Sequence, residues 1–274
     1  MDDTSPQLTL SPLEHFGHDV RKVREGRKIT QKALGKATGY SESYVSKVEA
    51  GVLMPSRKFA EGLDRVFGTN GLYVSLLARL DESSAPSWFI PYLRREAEAE
   101  AIMDFSTATL MGLVQTPEYA RAIFRAGFPR ATDEEIEREV AKRMLRQSTL
   151  ARPNAPTTWL ILHESCLRTV VGGPDVMASQ LESLTSIAKH PAMDIQVLPF
   201  TAGAHAAHIA AFTILRSATG ELATHMDDVV GGRLFTEGPA VEKTVEAYER
   251  LRAHALAPDA SLEIISNLAK EYET

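Results

Sequence analysis

Three sets of side chains in this chain have types and spacings that permit chemistry. His163, Glu164, Ser165 and Cys166 put imidazole, carboxylate, hydroxyl and thiol side by side. The second histidine of a zinc-protease helix is missing, however, and no neighbour in sequence marks Cys166 as a nucleophile, so we read it as a buried structural thiol. His205 and His208 lie three apart, with His225, Asp227 and Asp228 further on. Such a set would suit a divalent transition metal if the fold gathered it, and otherwise it is an ordinary loop and strand edge. Neither Gly172-Gly173-Pro174 nor Gly231-Gly232 spaces its glycines as a phosphate-cradling loop does, and both read as turns. The third set is basic: residues 20–36 carry Arg21, Lys22, Arg24, Arg27, Lys28, Lys32 and Lys36 against Glu25 alone, a stretch able to face a polyanion. No catalytic residue, metal ligand or cofactor is assigned, and the expectation is a binding protein rather than an enzyme.

The charge around these groups is unevenly spread. The 274 residues carry a net −6, yet residues 12–70 hold 11 Lys and Arg against 7 Asp and Glu, a net +4, which leaves −10 for the rest. The length and a 44% hydrophobic content predict two domains with their own cores. One cysteine excludes an internal disulfide framework. No apolar run approaches the roughly 18 residues of a membrane span, and the N-terminus MDDTSPQLTLSPL has acids where an export signal has bases, so no membrane contact and a cytoplasmic location are expected.

The elements that must position the basic set come next. Leu13, Phe16, Val20 and Val23 recur at helical spacing and end near Gly26. Thr30 caps a second helix over residues 31–37 that stops at Gly39, Ser41 caps a third over Glu42–Glu49, and Pro55-Ser56 open a fourth that ends at Gly68. A fifth is expected over 71–80, and DESSAP marks a linker over 81–87. Beyond it, 92–105 reads as one acidic helix, Thr116-Pro117 starts another, and Thr132 with Glu135 forms a capping box ahead of Ile136, Val140 and Met144. Strands are predicted at 157–162, 193–198, 211–215 and 221–225, with helices at 175–189, 241–255 and 261–272. The fold class is thus an N-terminal all-α domain of five helices over 12–80, followed by a larger α+β domain over 88–274.

Within the first domain, QKALGKATGYSESYVSKV over residues 31–48 fits a helix, tight turn and second helix: Gly35 permits close approach, Gly39 turns, and Leu34, Val45 and Val48 fill the wedge. The run VRKVREGRKITQKALGKATGYSESYVSKVEAGVLMPS resembles the Xre/Cro-type helix-turn-helix regulators over roughly residues 13–68. The resemblance implies a DNA-binding domain used as a homodimer on a palindromic operator in double-stranded DNA. It places Gln31 on a phosphate, Glu42, Ser43 and Lys47 towards base edges, Ser41 and Tyr44 beside the backbone, and Arg24 with Glu49 in a structural ion pair. Lys47 then suits guanine O6 or N7 and Glu42 cytosine N4, while Lys32 is expected to contact phosphate without sequence preference.

The second domain carries a separate resemblance. EAEAEAIMDFSTATLMGLVQTPEYARAIFRAG, with the later PDVMASQLESL, MDIQVLPF and SLEII, is similar to the C-terminal domain of the antitoxin-like (WhiJ-like) regulators of actinobacteria over nearly all of residues 88–272. The proline that the family has before the glycine of its Gly-Leu-Leu-Gln-Thr run is absent at Met111. The resemblance carries no mechanism of its own, although members often sit beside a small partner protein. The domain's acidity, its lack of a catalytic constellation and the need of a helix-turn-helix for two half-sites lead us to expect a ligand- or partner-binding domain that dimerises, with two functional readings. One is a transcription regulator whose second domain senses a ligand or small protein, and the other an antitoxin-like module that sequesters a small partner protein and binds DNA for autoregulation.

Overall fold

Three hydroxyl caps set where helices of the N-terminal part begin. Thr30 Oγ1 accepts from the Ala33 amide, Ser41 Oγ from that of Tyr44 and Ser56 Oγ from that of Phe59, each at 3.1 Å, satisfying amides that a first helical turn leaves orphaned. The structure, a computed structural model, describes residues 12–84, 86, 88–152, 154–207, 209–228 and 231–273. The chain divides into two units between residues 85 and 86.

The first unit is the expected all-α bundle: α1 (Pro12–Gly26), α2 (Gln31–Thr38), α3 (Glu42–Glu49), α4 (Arg57–Phe67) and α5 (Leu72–Ser84). The last helix runs beyond Leu80, where sequence placed its end. Phe16 and Val20 of α1, Leu34 of α2, Val45 and Val48 of α3, Phe59 and Leu63 of α4 and Tyr73 of α5 fill its core. Gly39 ends α2 at φ +83°, the left-handed conformation that a residue without Cβ adopts freely. Backbones approach closely at Gly35, where a Cβ would lie 2.7 Å from the Tyr40 carbonyl oxygen, and at Gly17, where it would lie 2.4 Å from that of Val48.

The second unit runs α6 (Ile90–Glu98), β1 (Ala101–Ser106), α7 (Pro117–Gly127), α8 (Asp133–Arg146), β2 (Thr157–His163), α9 (Glu164–Arg168), α10 (Pro174–Ile187) and β3 (Met193–Leu198). It continues with α11 (Ala204–Ala207), β4 (Phe212–Arg216), β5 (Leu222–Asp228), β6 (Gly231–Phe235), α12 (Pro239–His254) and α13 (Pro258–Tyr272). The strands form one mixed sheet in the order β3-β2-β1-β4-β5-β6, with β1, β2 and β3 parallel and the other pairings antiparallel. The α+β class is therefore as expected. Two differences from the sequence reading bear on the sheet. The acidic helix stops at Glu98, and Ala101–Ser106 is instead an inner strand, with Ile102 and Phe105 fully buried. Gly231-Gly232 is no turn but the start of β6, where a Cβ on Gly232 would lie 2.4 Å from His225 Nε2 and 2.5 Å from the Trp88 ring.

Around the sheet, Phe105, Ile161, Phe212 and Ile214 pack with Tyr248 and Leu251 of α12. Ala120, Ile136 and Val140 join α7 to α8. The capping box is formed: Glu135 N donates to Thr132 Oγ1 (3.2 Å) and Thr132 N to Glu135 Oε2 (2.8 Å).

Candidate nucleic-acid interface

Helix α3 has two chemically distinct sides. Val45 and Val48 are fully buried, while Glu42, Ser43, Ser46 and Lys47 are exposed. A residue of the first kind every three positions fixes the helix to the bundle and leaves the others outward.

What locks α3 in place is a buried ion pair. Arg24 of α1 donates from Nε to Glu49 Oε1 at 2.5 Å and from Nη2 to Glu49 Oε2 at 2.9 Å, the two-pronged geometry that suits guanidinium to carboxylate. Arg24 Nη1 also donates to the Ile29 carbonyl (2.9 Å), so one side chain ties α1, the α1–α2 loop and the end of α3 together. The hydrogen bonds that Arg24 donates to Glu49 are the main reason the Arg24 pKa lies above its ordinary value. The pair is the one the sequence pattern implied.

The sequence-assigned residues divide between display and support. Lys32, Ser41, Glu42, Ser43 and Lys47 are exposed. Ser41 also serves as the α3 cap, with its Oγ engaged by the Tyr44 amide. Gln31 is half-buried and donates from Nε2 to Glu49 Oε2 at 2.8 Å, so its amide nitrogen supports the ion pair. Tyr44, which the resemblance places beside the DNA backbone, is half-buried: it stacks on Tyr40 at 4.3 Å, meets Phe59 edge-on, and accepts the Ser56 amide at its hydroxyl (2.8 Å). Burial raises its pKa. Tyr40, passed over in the sequence, bonds Ser56 Oγ at 2.5 Å and completes this prop between α3 and α4.

The basic run separates in the same way. Arg24 is spent on Glu49, Arg21 pairs with Glu25 at 2.9 Å, and Arg27 lies over the Phe67 ring and donates to the Phe67 carbonyl at 2.5 Å. Lys22, Lys28, Lys32, Lys36 and Lys47 are exposed and have no ion-pair partner among the described residues. The positive charge open to a polyanion in this unit is therefore largely lysine.

In the second unit, His163 is the cap of α9, with Nδ1 at 2.5 Å from Ser165 Oγ; Glu164 accepts from the Phe200 amide and from Arg168, and Cys166 is fully buried. His205 stacks on His254 at 3.7 Å, whereas His225 packs against Tyr92 with Asp227 at 3.6 Å. His208 lies outside the described residues. Among the described residues no three metal-ligating side chains come together.

Known families recognise both parts. Residues 15–77 match the model of a helix-turn-helix domain, and residues 89–267 match that of a domain of unknown function (DUF5753). No curated protein and no solved structure matches the chain. The second match alone covers well over half the sequence, and the protein therefore belongs to the DUF5753 family, with a helix-turn-helix domain ahead of the family's own domain.

Proposed function

We propose that this protein is a sequence-specific transcription regulator that reads a double-stranded operator through α3, and whose C-terminal domain senses a small ligand or a small partner protein. The observation that carries the reading is the two-sided α3: a rigidly held helix with Glu42, Ser43 and Lys47 exposed along one side. Lysine and glutamate there match the donor and acceptor edges that distinguish base pairs in the major groove. The exposed lysines of α1, α2 and their loop suit phosphates, which position a protein without specifying sequence. The acidic remainder, net −10 outside residues 12–70, keeps the rest of the surface off DNA and leaves it for a ligand or partner. The protein works as a homodimer on two half-sites about one DNA turn apart, and it acts by binding, without a reaction of its own.

Selection of bound duplexes from a random pool, repeated with Lys47→Ala, tests this. Enrichment of a two-fold repeated sequence, altered at one position per half-site in the variant, is the expected result. Recovery of no preferred sequence overturns the reading, and co-purification of a small protein that displaces DNA moves it to the antitoxin-like alternative.

A further inference from the structure

A cleft of about 310 Å³ opens in the C-terminal unit, lined by side chains of α6, α8, β1, β4 and β5 and by the segment between β1 and α7. That volume lies at the small end of ligand pockets. Besides the largely exposed Asp227, two buried charges of opposite sign line it without an ionic partner among the described residues. Arg143 lies with its guanidinium 4.1 Å over the Phe124 ring and donates from Nη1 to Gln115 Oε1 at 2.5 Å. Its buried Nε makes no hydrogen bond, and no carboxylate pairs with it among the described residues. The next arginine on that helix, Arg146, is by contrast neutralised by Glu96 at 2.7 Å. Burial, together with Arg146, lowers the Arg143 pKa only to about 10, so the charge stays.

Asp104 is the other unpaired charge. It is 5% exposed and accepts from Ser106 Oγ (2.6 Å) and Thr213 Oγ1 (2.8 Å), with no cation beside it among the described residues. Burial raises its pKa to about 6. An apolar side chain would fill either position without the cost of desolvating a charge. Two such costs on one small cleft point to a ligand that supplies both counter-groups.

We propose that this cleft binds a small carboxylate that also carries an ammonium or hydroxyl group, the carboxylate pairing with Arg143 and the donor group with Asp104. The proposal deepens the sensing half of the functional reading and is independent of DNA recognition. An arginine fork suits a carboxylate, and a buried carboxylate with each oxygen already accepting one hydroxyl keeps lone pairs for a further donor.

Titration calorimetry of the full chain tests it, with alanine, glutamate and 4-aminobutyrate as ammonium-bearing probes and lactate as the hydroxyl-bearing one. Butyrate serves as the donor-free acid and sodium chloride as the ionic control. Saturable one-site binding by at least one donor-bearing probe is expected, about tenfold or more tighter than butyrate, and which probe wins separates ammonium from hydroxyl. Arg143→Met should keep the melting temperature and lose the binding. If that variant melts early, Thr109→Phe at the exposed rim fills the same cleft and should lose the binding instead. No saturable binding by any donor-bearing probe, equal binding by butyrate, or undiminished binding in the folded variants overturns the site. Operator affinity unmoved by a probe that does bind overturns only the sensing reading.

Discussion

Lys47 and Lys32 are both exposed lysines, yet the proposed function gives their helices different tasks. Lys47→Ala is expected to relax one base position per half-site at about 1 to 3 kcal/mol, whereas Lys32→Ala weakens all duplexes alike; titrations on single-base operator variants check this. Equal losses on every variant would make Lys47 a phosphate contact. Asp104 gives a second residue-scale prediction. Its pKa is raised by burial, from 3.8 to about 6, so the folded chain takes up a proton that the unfolded chain does not. Its favourable contribution is full below about pH 4 and is lost as pH rises through 6, roughly 3 kcal/mol in all at 1.36 kcal/mol per unit. Asp104→Asn should therefore be more stable than wild type above pH 6, with the advantage shrinking towards pH 4; denaturant titrations across that range read the difference. A constant difference would show that Asp104 does not titrate in this window. The sequence showed neither this carboxylate's burial nor that of Tyr44, since each depends on a neighbour distant in the chain or across a turn: Thr213 for Asp104, Phe59 and Ser56 for Tyr44.

At the scale of elements, α3 depends on its tie to α1. Removing one partner of a buried pair leaves the other charge uncompensated, so Glu49→Ala is expected to cost about 3 to 5 kcal/mol, and Arg24→Leu with Glu49→Leu together clearly less. Thermal melts of the two variants check it; equal destabilisation would mean the cost is lost packing rather than a stranded charge. Thr132→Ala, which removes the capping box of α8, should cost about 1 kcal/mol by the same measurement. Elements bounded by local signals were legible. Ser41 and the apolar pair Val45 and Val48 placed α3 at its observed limits, and Thr132 with Glu135 placed the start of α8. β1 was hidden because AIMDFS follows EAEAE without a breaker, and a short apolar run buried on both faces lacks the alternation that betrays a strand. β6 was hidden because its two glycines are there for Trp88 and His225 to lie over, a long-range cause that local turn statistics misassign.

At the scale of the whole molecule, the chain joins a basic reading head to an acidic body. If the body supplies the dimer, a fragment ending at Ser84, which keeps all of α5, should fold and bind operator DNA as a weaker monomer; sedimentation and operator titration of fragment and full chain check it. A dimeric fragment of undiminished affinity would leave the body with sensing alone. The burial of Cys166 has a practical corollary. It is the chain's only cysteine, it is fully enclosed, and burial pushes its thiol well above the ordinary range, so an alkylating reagent finds no thiolate in the native protein. Alkylation kinetics then clock the opening of the body while ignoring the head. A cysteine introduced at Ser43 would be the one reactive handle on the molecule, ready to carry a fluorophore to the face proposed to meet DNA.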